Sequence, residues 1–326
     1  MKALAILTLR NEGAFLLDWL AHHRAVGFTD FLVFTNDCDD GTDQMLDRLQ
    51  ALGGVTHIRN PGPWDQGPQW AALHLAERHP ALGAADWAMV IDIDEYVNIH
   101  LGARRLTDLI AAHPDADAIP LTWRMFGNAG VVRFEDRPIP AAFTRAAPAI
   151  LHWPWRALMV KTLFRPRVFR KLGVHRPKGG KGNPVWSDPR LGQRLFSEPG
   201  KDHYRQAQLN HYALGSMESY LVKCDRGRAN REGAAFDMSY WCDRNFCDVE
   251  DRSLLALSSE DARARLAADP VLSALHDAAV AWRRDRFAAL MREEPWRALF
   301  GRLLMTPPAR PLPAALAEQI RSFRIE

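Results

Sequence analysis

The chain has 326 residues, 25% of them charged and 47% hydrophobic, with a formal net charge of +3. That is the makeup of a water-soluble globular protein with one large domain and room for an appendage, and so mild a charge gives no reason to expect a nucleic-acid partner. No stretch is apolar for long enough to span a bilayer. The four cysteines, Cys38, Cys224, Cys242 and Cys247, lack the C-x-x-C spacing of a zinc knuckle or redox motif. The expectation is a cytoplasmic protein with reduced thiols, touching the inner face of a membrane at most peripherally. Met1 to Arg10 is too brief an apolar run for a signal peptide and has no small-residue cleavage site.

The first half alternates strands and helices. Ala3 to Leu9 reads as a strand, and Phe15 to Val26 as a helix with Leu16, Trp19, Leu20 and His23 on one face. Phe31 to Phe34 is a second strand, followed by a turn rich in Asn, Asp and Gly. Thr42 opens a helix that turns Met45, Leu46, Leu49 and Leu52 inward and stops at Gly53-Gly54. Val55 to Ile58 is a strand, Gln69 to Arg78 a helix, and Trp87 to Ile91 an apolar strand that reaches Asp92. Leu106 to Ala112 adds a helix and Ala118 to Trp123 a strand. This order predicts an α/β fold with a mostly parallel, doubly wound sheet.

Phe126 to Pro154 is irregular, Met159 to Phe164 and Arg167 to Phe169 read as strand pieces, and Lys178 to Gly200 as a loop. Basic residues gather from Arg156 to Arg176, with Lys178 and Lys181 following, a face for phosphates, an anionic membrane or plain solvent. Beyond that, helices are expected at 216–226, 253–268 and 271–292, and one short helix after the Pro-rich stretch Pro307 to Pro313. The expected division is a catalytic domain over 1–215 and a helical region over 216–326 packed on it.

Three strand ends carry polar clusters. They are Thr8-Leu9-Arg10-Asn11-Glu12, Asn36-Asp37-Cys38-Asp39-Asp40-Gly41-Thr42, and Asp92-Ile93-Asp94-Glu95. In open α/β sheets such ends line one crevice, where ligands bind. Asp92 and Asp94 stand two residues apart, so in an extended chain both point to one side. Paired carboxylates there suit Mg²⁺ or Mn²⁺ holding a phosphorylated substrate.

These clusters, with Trp123-Arg124-Met125-Phe126-Gly127, Val174-His175-Arg176-Pro177, Asn210-His211-Tyr212, Tyr220-Leu221-Val222-Lys223 and Arg226-Gly227, resemble the glycosyltransferase family 2-like group, and more narrowly its branch related to the family 92 enzymes. The resemblance covers roughly residues 1 to 230. It implies a GT-A-like fold, a UDP- or GDP-sugar donor, a glycan or lipid-linked acceptor and a metal at the D-x-D motif. By position, Thr8, Arg10, Asn11 and Glu12 would line the nucleotide pocket, Asp37 and Asp39 would lie near the base and ribose, and Gln69 would face the donor. Asp92 would contact the ribose or a metal-bound water, Asp94 would ligate the metal, and His211 would complete metal or diphosphate binding. Lys223 and Arg226, three residues apart on one helix face, would hold the diphosphate.

An inverting transfer also needs a carboxylate to deprotonate the acceptor hydroxyl. Glu135 and Asp136 are the visible acidic pair downstream, and Glu95 is a third candidate beside the metal motif. His175 could meet the acceptor or the phosphates, and the tryptophans of the irregular middle could stack on a sugar. The inferred setting is bacterial polysaccharide or surface-glycan synthesis. Two other functions fit the same acids: a haloacid-dehalogenase-like phosphatase using the D-x-D, and a non-catalytic glycan-binding protein. The oligomeric state is not legible in the sequence.

Overall fold

The structure is a computed structural model that describes residues 1–227 and 237–323. Its strands are β1 (Ala3–Leu9), β2 (Asp30–Thr35), β3 (Val55–Arg59), β4 (Trp87–Val90), β5 (Glu95–Ile99), β6 (Ala118–Met125), β7 (Arg145–Ala146), β8 (Val160–Phe164), β9 (Phe169–Lys171), β10 (Lys178–Gly180), β11 (Ala207–His211) and β12 (Val249–Glu250). Its helices are α1 (Gly13–Val26), α2 (Thr42–Leu52), α3 (Pro68–Arg78), α4 (Pro80–Ala84), α5 (Leu106–Ala111), α6 (Ile139–Ala142), α7 (Met217–Arg226), α8 (Met238–Cys242), α9 (Glu260–Ala267), α10 (Pro270–Leu290), α11 (Glu294–Met305) and α12 (Ala314–Ser322).

Eight strands form one sheet in the order β3-β2-β1-β4-β8-β6-β11-β5. β1 is parallel to β2 and to β4, β2 to β3, and β6 to β11. β8 runs against β4 and β6, and β5 runs against β11. The mostly parallel α/β sheet expected from the sequence is present. The chain leaves β1 towards β2 and β3, then returns to β4 on the other side of β1. Loops that diverge on either side of that reversal open a crevice at the carboxyl ends of the strands.

The sheet is covered on both faces, which is why β1, β2 and β4 read as almost unbroken apolar runs. Leu7, Leu9 and Val33 pack in one core with Leu16, Trp19 and Leu20 of α1 and Met45, Leu46 and Leu49 of α2. Leu4, Ile6, Leu32 and Phe34 face a second core with Ala72, Leu73 and Ala76 of α3. Each of the larger aliphatic and aromatic side chains taken from water contributes about 1.5–3 kcal/mol before the entropy of ordering the chain is set against it. Residues of α7, α10 and α11, among them Leu221, Leu290 and Leu303, form a third cluster. α1 ends at Gly27, whose φ of 117° lets its N–H reach the His23 carbonyl at 3.1 Å.

Four elements depart from the sequence reading. β5 and β11 were not expected as strands, because their buried faces are polar. Asn98 donates to Asn210 Oδ1 at 3.3 Å, and Gln208 donates to the same oxygen at 2.7 Å and to Asp251 at 2.9 Å. The side chains satisfy one another inside the sheet, so no apolar alternation marks either strand. The helix expected over 253–268 is a 3₁₀ turn at Ser253–Ala256 and then α9, parted by Ser258-Ser259. α11 fills Glu294–Met305, where no helix was expected, with Pro295 in its first turn. Among the described residues, no helix is long and apolar enough to cross a membrane, and the four cysteines are unpaired.

Candidate active site

The carboxyl ends of β1, β2 and β4 meet in a cleft of about 670 Å³, large enough for a small-molecule ligand. Thr8, Arg10, Glu12, Asp37, Gln69, Asp92, Asp94, His211, Lys223 and Arg226 all line it. Residues spread over two hundred positions thus converge as the three polar strand ends required.

β4 stops at Val90, and Asp92-Ile93-Asp94 form a turn in which the Glu95 amide donates to the Asp92 carbonyl at 3.1 Å. The two carboxylates therefore do not share one face of a strand, as strand alternation had suggested. Each meets its own lysine. Asp92 Oδ2 accepts from Lys161 Nζ at 2.9 Å, and its other oxygen lies 3.4 Å from Gln69 Nε2. Asp94 Oδ2 accepts from Lys223 Nζ at 2.7 Å and lies 3.7 Å from His211 Nε2. Burial on its own raises the Asp94 pKa, but the Lys223 charge and His211 outweigh it and hold the carboxyl well below its ordinary range.

Among the described residues, no three His, Cys, Asp or Glu side chains converge as a closed metal cage. A divalent cation would instead find an open site: the Asp94 carboxylate, and His211, which burial keeps in the neutral form that ligates metals. His211 Nδ1 is buried with no partner, so the ring is free to change tautomer. Two protein ligands plus diphosphate oxygens match the way Mg²⁺ and Mn²⁺ are usually held against phosphorylated substrates. The residues would fit such an ion in the place that the Lys223 ammonium holds on Asp94 Oδ2.

At the other side of the cleft, β1 and α7 lock together. Arg226 donates to the Arg10 carbonyl at 2.9 Å, Arg10 donates to the Arg226 carbonyl at 3.2 Å, and Arg226 also pairs with Glu12. Glu12 is 5% exposed and has Arg283 3.9 Å away on its other oxygen. Its carboxylate is therefore occupied in positioning Arg226. Arg10 Nε is buried without a partner beside the cleft. Lys223 and Arg244 both pack against the Tyr240 ring, at 5.7 and 3.7 Å from its centroid.

Five expected site residues stand elsewhere or act differently. Asn11 does not line the cleft; its side chain accepts from the Asp39 amide at 2.9 Å and ties the β1 and β2 loops together. Asp39 is exposed and also outside the cleft lining. Its neighbour Asp40 supplies the helix cap, accepting from the Gly13 amide at 2.9 Å and from Thr42 Oγ1 at 2.6 Å. Glu135 and Asp136 lie outside the cleft, Glu135 paired with Arg137 and Asp136 with His276 at 3.0 Å. Glu95 is wholly buried, accepting from Trp123 Nε1 at 2.6 Å and from the Asp92 amide at 2.8 Å. It shapes the turn and cannot reach an acceptor.

Sequence reasoning passed over Lys161. A fully buried lysine is rare unless paired, and Lys161 lies 2.9 Å from Asp92 and 3.5 Å from Glu95. Its signal was one cation inside the apolar strand Val160–Phe164. Trp64, Trp123, Trp155, Arg156 and His175 also line the cleft. His175 Nδ1 sits 3.0 Å from the Val160 carbonyl, and burial pulls its pKa down to about 4. Gly127 of the Trp123 motif is needed because a Cβ there would lie 2.4 Å from the Phe246 carbonyl oxygen.

A model of glycosyltransferase family 92 matches residues 6–218, more than half of the chain. A family 92 protein of Oryza sativa subsp. japonica is 24% identical over 139 residues, which are 42% of this chain and 23% of that one. A family 92 protein of Ricinus communis is 30% identical over 95 residues, 29% of this chain and 16% of that one. The chain spans a quarter or less of the length of these plant relatives. The S. aureus TarS 1–349 structure in complex with UDP is 18% identical, covering 52% of this chain and 48% of that one, with a TM-score of 0.31.

Proposed function

The chain belongs to glycosyltransferase family 92, and on that premise we propose that it transfers a sugar from a nucleoside-diphosphate donor, UDP- or GDP-linked, to a glycan hydroxyl, free or lipid-linked, with inversion. One observation bears most of this reading: Asp92 and Asp94, each with its own lysine, share a cleft with Arg10 and Arg226 at the carboxyl ends of parallel strands. Cleaving a sugar–phosphate bond leaves a diphosphate whose negative charge grows as the bond breaks. Cations fixed in place beforehand stabilise that charge without reorganising. Lys223 and Arg226 would meet the phosphates, while Asp92, held by Lys161, and Asp37 would face the ribose and base. A Mn²⁺ or Mg²⁺ ion held by Asp94 and His211 would supply further charge neutralisation to the leaving group.

Inversion needs a base inside the cleft. Every acid lining it is engaged except one: Glu12 by Arg226, Asp37 by Asn36, Asp92 by Lys161, Asp94 by Lys223 and Asp237 by the Tyr240 amide. Asp243, half-buried in the lining, has a carboxylate with no hydrogen-bond or ion-pair partner among the described residues. We assign it the proton from the acceptor, in place of Glu135 or Asp136. Family membership weighs against the phosphatase alternative, and the plant relatives support no assignment to a bacterial pathway.

The test is to incubate the protein with a panel of nucleotide sugars and Mn²⁺ and to measure nucleoside-diphosphate release with glycan acceptors. Release from one donor class, with the opposite anomeric configuration in the product, is the expected result. Phosphate release without sugar transfer would favour a phosphatase, and donor binding without turnover a glycan-binding protein.

A further inference from the structure

α12 presents a face that the chemistry above does not use. Leu316 and Ile320 lie one turn apart on α12 and Phe323 follows its end, and they are 47%, 38% and 72% exposed. On the adjoining face Ala317 is fully buried, and Arg321, one turn on and exposed, donates to the His152 carbonyl at 3.2 Å. That contact seats the helix beside the segment that carries Ile150, 51% exposed, with half-buried Trp153 and Trp155 and exposed Arg156. Trp155 and Arg156 line the cleft. Trp155 also packs on Phe196 at 5.0 Å between ring centroids, and Arg194 and Leu195, both exposed, immediately precede Phe196.

Exposed aliphatic and aromatic side chains, tryptophans and unpaired arginines therefore share one surface that runs from α12 to the rim of the cleft. Each component suits one layer of a membrane surface. Apolar side chains enter the acyl boundary, indole rings sit at the depth of the headgroups, and guanidinium groups meet lipid phosphates. Arg156 and Arg194 have no ion-pair partner among the described residues, so their charge is available to an anionic surface.

We propose that this surface docks on an anionic bilayer, which brings the cleft mouth to the depth at which a lipid-linked acceptor presents its glycan. The acceptor half of this statement rests on the glycosyltransferase reading; the docking half does not. Vesicle co-sedimentation tests it, comparing phosphatidylcholine alone with phosphatidylcholine containing phosphatidylglycerol. The protein is expected to sediment with the anionic vesicles and to be released by salt. The Leu316→Ser, Ile320→Ser, Phe323→Ser triple variant should partition about tenfold less or weaker still, as expected when apolar side chains no longer enter the bilayer. Arg194→Glu should weaken binding to the anionic vesicles only. The proposal is overturned if the wild type stays in the supernatant, if the triple variant binds as well as the wild type, or if sedimentation velocity shows a dimer that the triple variant dissolves. Nucleoside-diphosphate titration of the same triple variant reads the cleft separately and should match the wild type, so a failed docking and a failed donor site are told apart.

Discussion

Asp92 and Asp94 lie two positions apart and each pairs with a lysine, yet the two halves of the motif are built differently. Lys161 is fully buried in β8 and also lies 3.5 Å from the buried Glu95, which itself accepts from the Trp123 indole. Lys223 comes from α7, is 11% exposed, and is held by Asp94 and by the Ala213 carbonyl at 2.7 Å. The first half is fastened into the sheet and fixes the shape of the turn. Both carboxylates face the cleft, but only the lysine of the second half is open to it, so a cation or a phosphate can compete for that pair. One short motif thus divides into a part that supports and a part that reacts.

Substitutions on the two sides should separate activity from stability. Asp94→Ala should have the largest effect on turnover, about 10²–10³-fold or more in kcat, by analogy with losing one preorganised charge-stabilising group, with a smaller loss of stability than Lys161→Met. Initial rates of nucleoside-diphosphate release measure it. Lys161→Met should do the reverse first. It leaves the wholly buried Glu95 without its cation and Asp92 without its partner, and should cost about 3–5 kcal/mol of stability, read from urea unfolding. Lys223→Met should cost distinctly less, because it strands no fully buried carboxylate as Lys161→Met strands Glu95, and Lys223 itself reaches water at the cleft. Equal losses of stability in the two lysine variants would erase the distinction between the halves.

Acid should distinguish the motif further. The Asp94 pKa is depressed in the folded state, so its pairing stabilises fully above the ordinary carboxylate value of 3.8 and is lost as pH falls through the lower folded value. The stability gap between wild type and Asp94→Asn should be flat near neutrality and close only below about pH 4. A gap that closes between pH 6 and 8 would implicate a histidine instead. The smallest effects belong to the surface pair: Glu135→Gln and Asp136→Asn should change kcat less than about twofold, and loss of the Asp136–His276 contact should cost at most about 1 kcal/mol. A large fall in kcat from either variant would return the base to that loop.

The outline of the sheet and the place of the cleft were legible because buried parallel strands must be apolar and their polar ends must be marked. Ten of the expected site positions meet in the cleft lining. The β4–β5 turn was not legible, since strand alternation says nothing about where a strand stops. Asn11, Asp39 and Asp40 show a second limit: short polar residues after a strand serve loops and caps as readily as ligands, and only the observed partners tell these roles apart. β5 and β11 stayed hidden because Asn98, Gln208 and Asn210 pay one another's desolvation within the sheet. Lys161 was visible as an anomaly, a lysine in an apolar strand, but its partner lies 69 residues away and only the fold brings them together.

The central claim is that Asp94 and its neighbours hold a nucleoside diphosphate with a divalent cation. Isothermal titration of UDP and of GDP, each with and without Mn²⁺, into the wild type and Asp94→Ala tests it most directly. The account predicts Mn²⁺-dependent binding of one of the two nucleotides to the wild type and its loss in Asp94→Ala. Absence of binding to the wild type, or equal Mn²⁺-dependent binding by the variant, would contradict it.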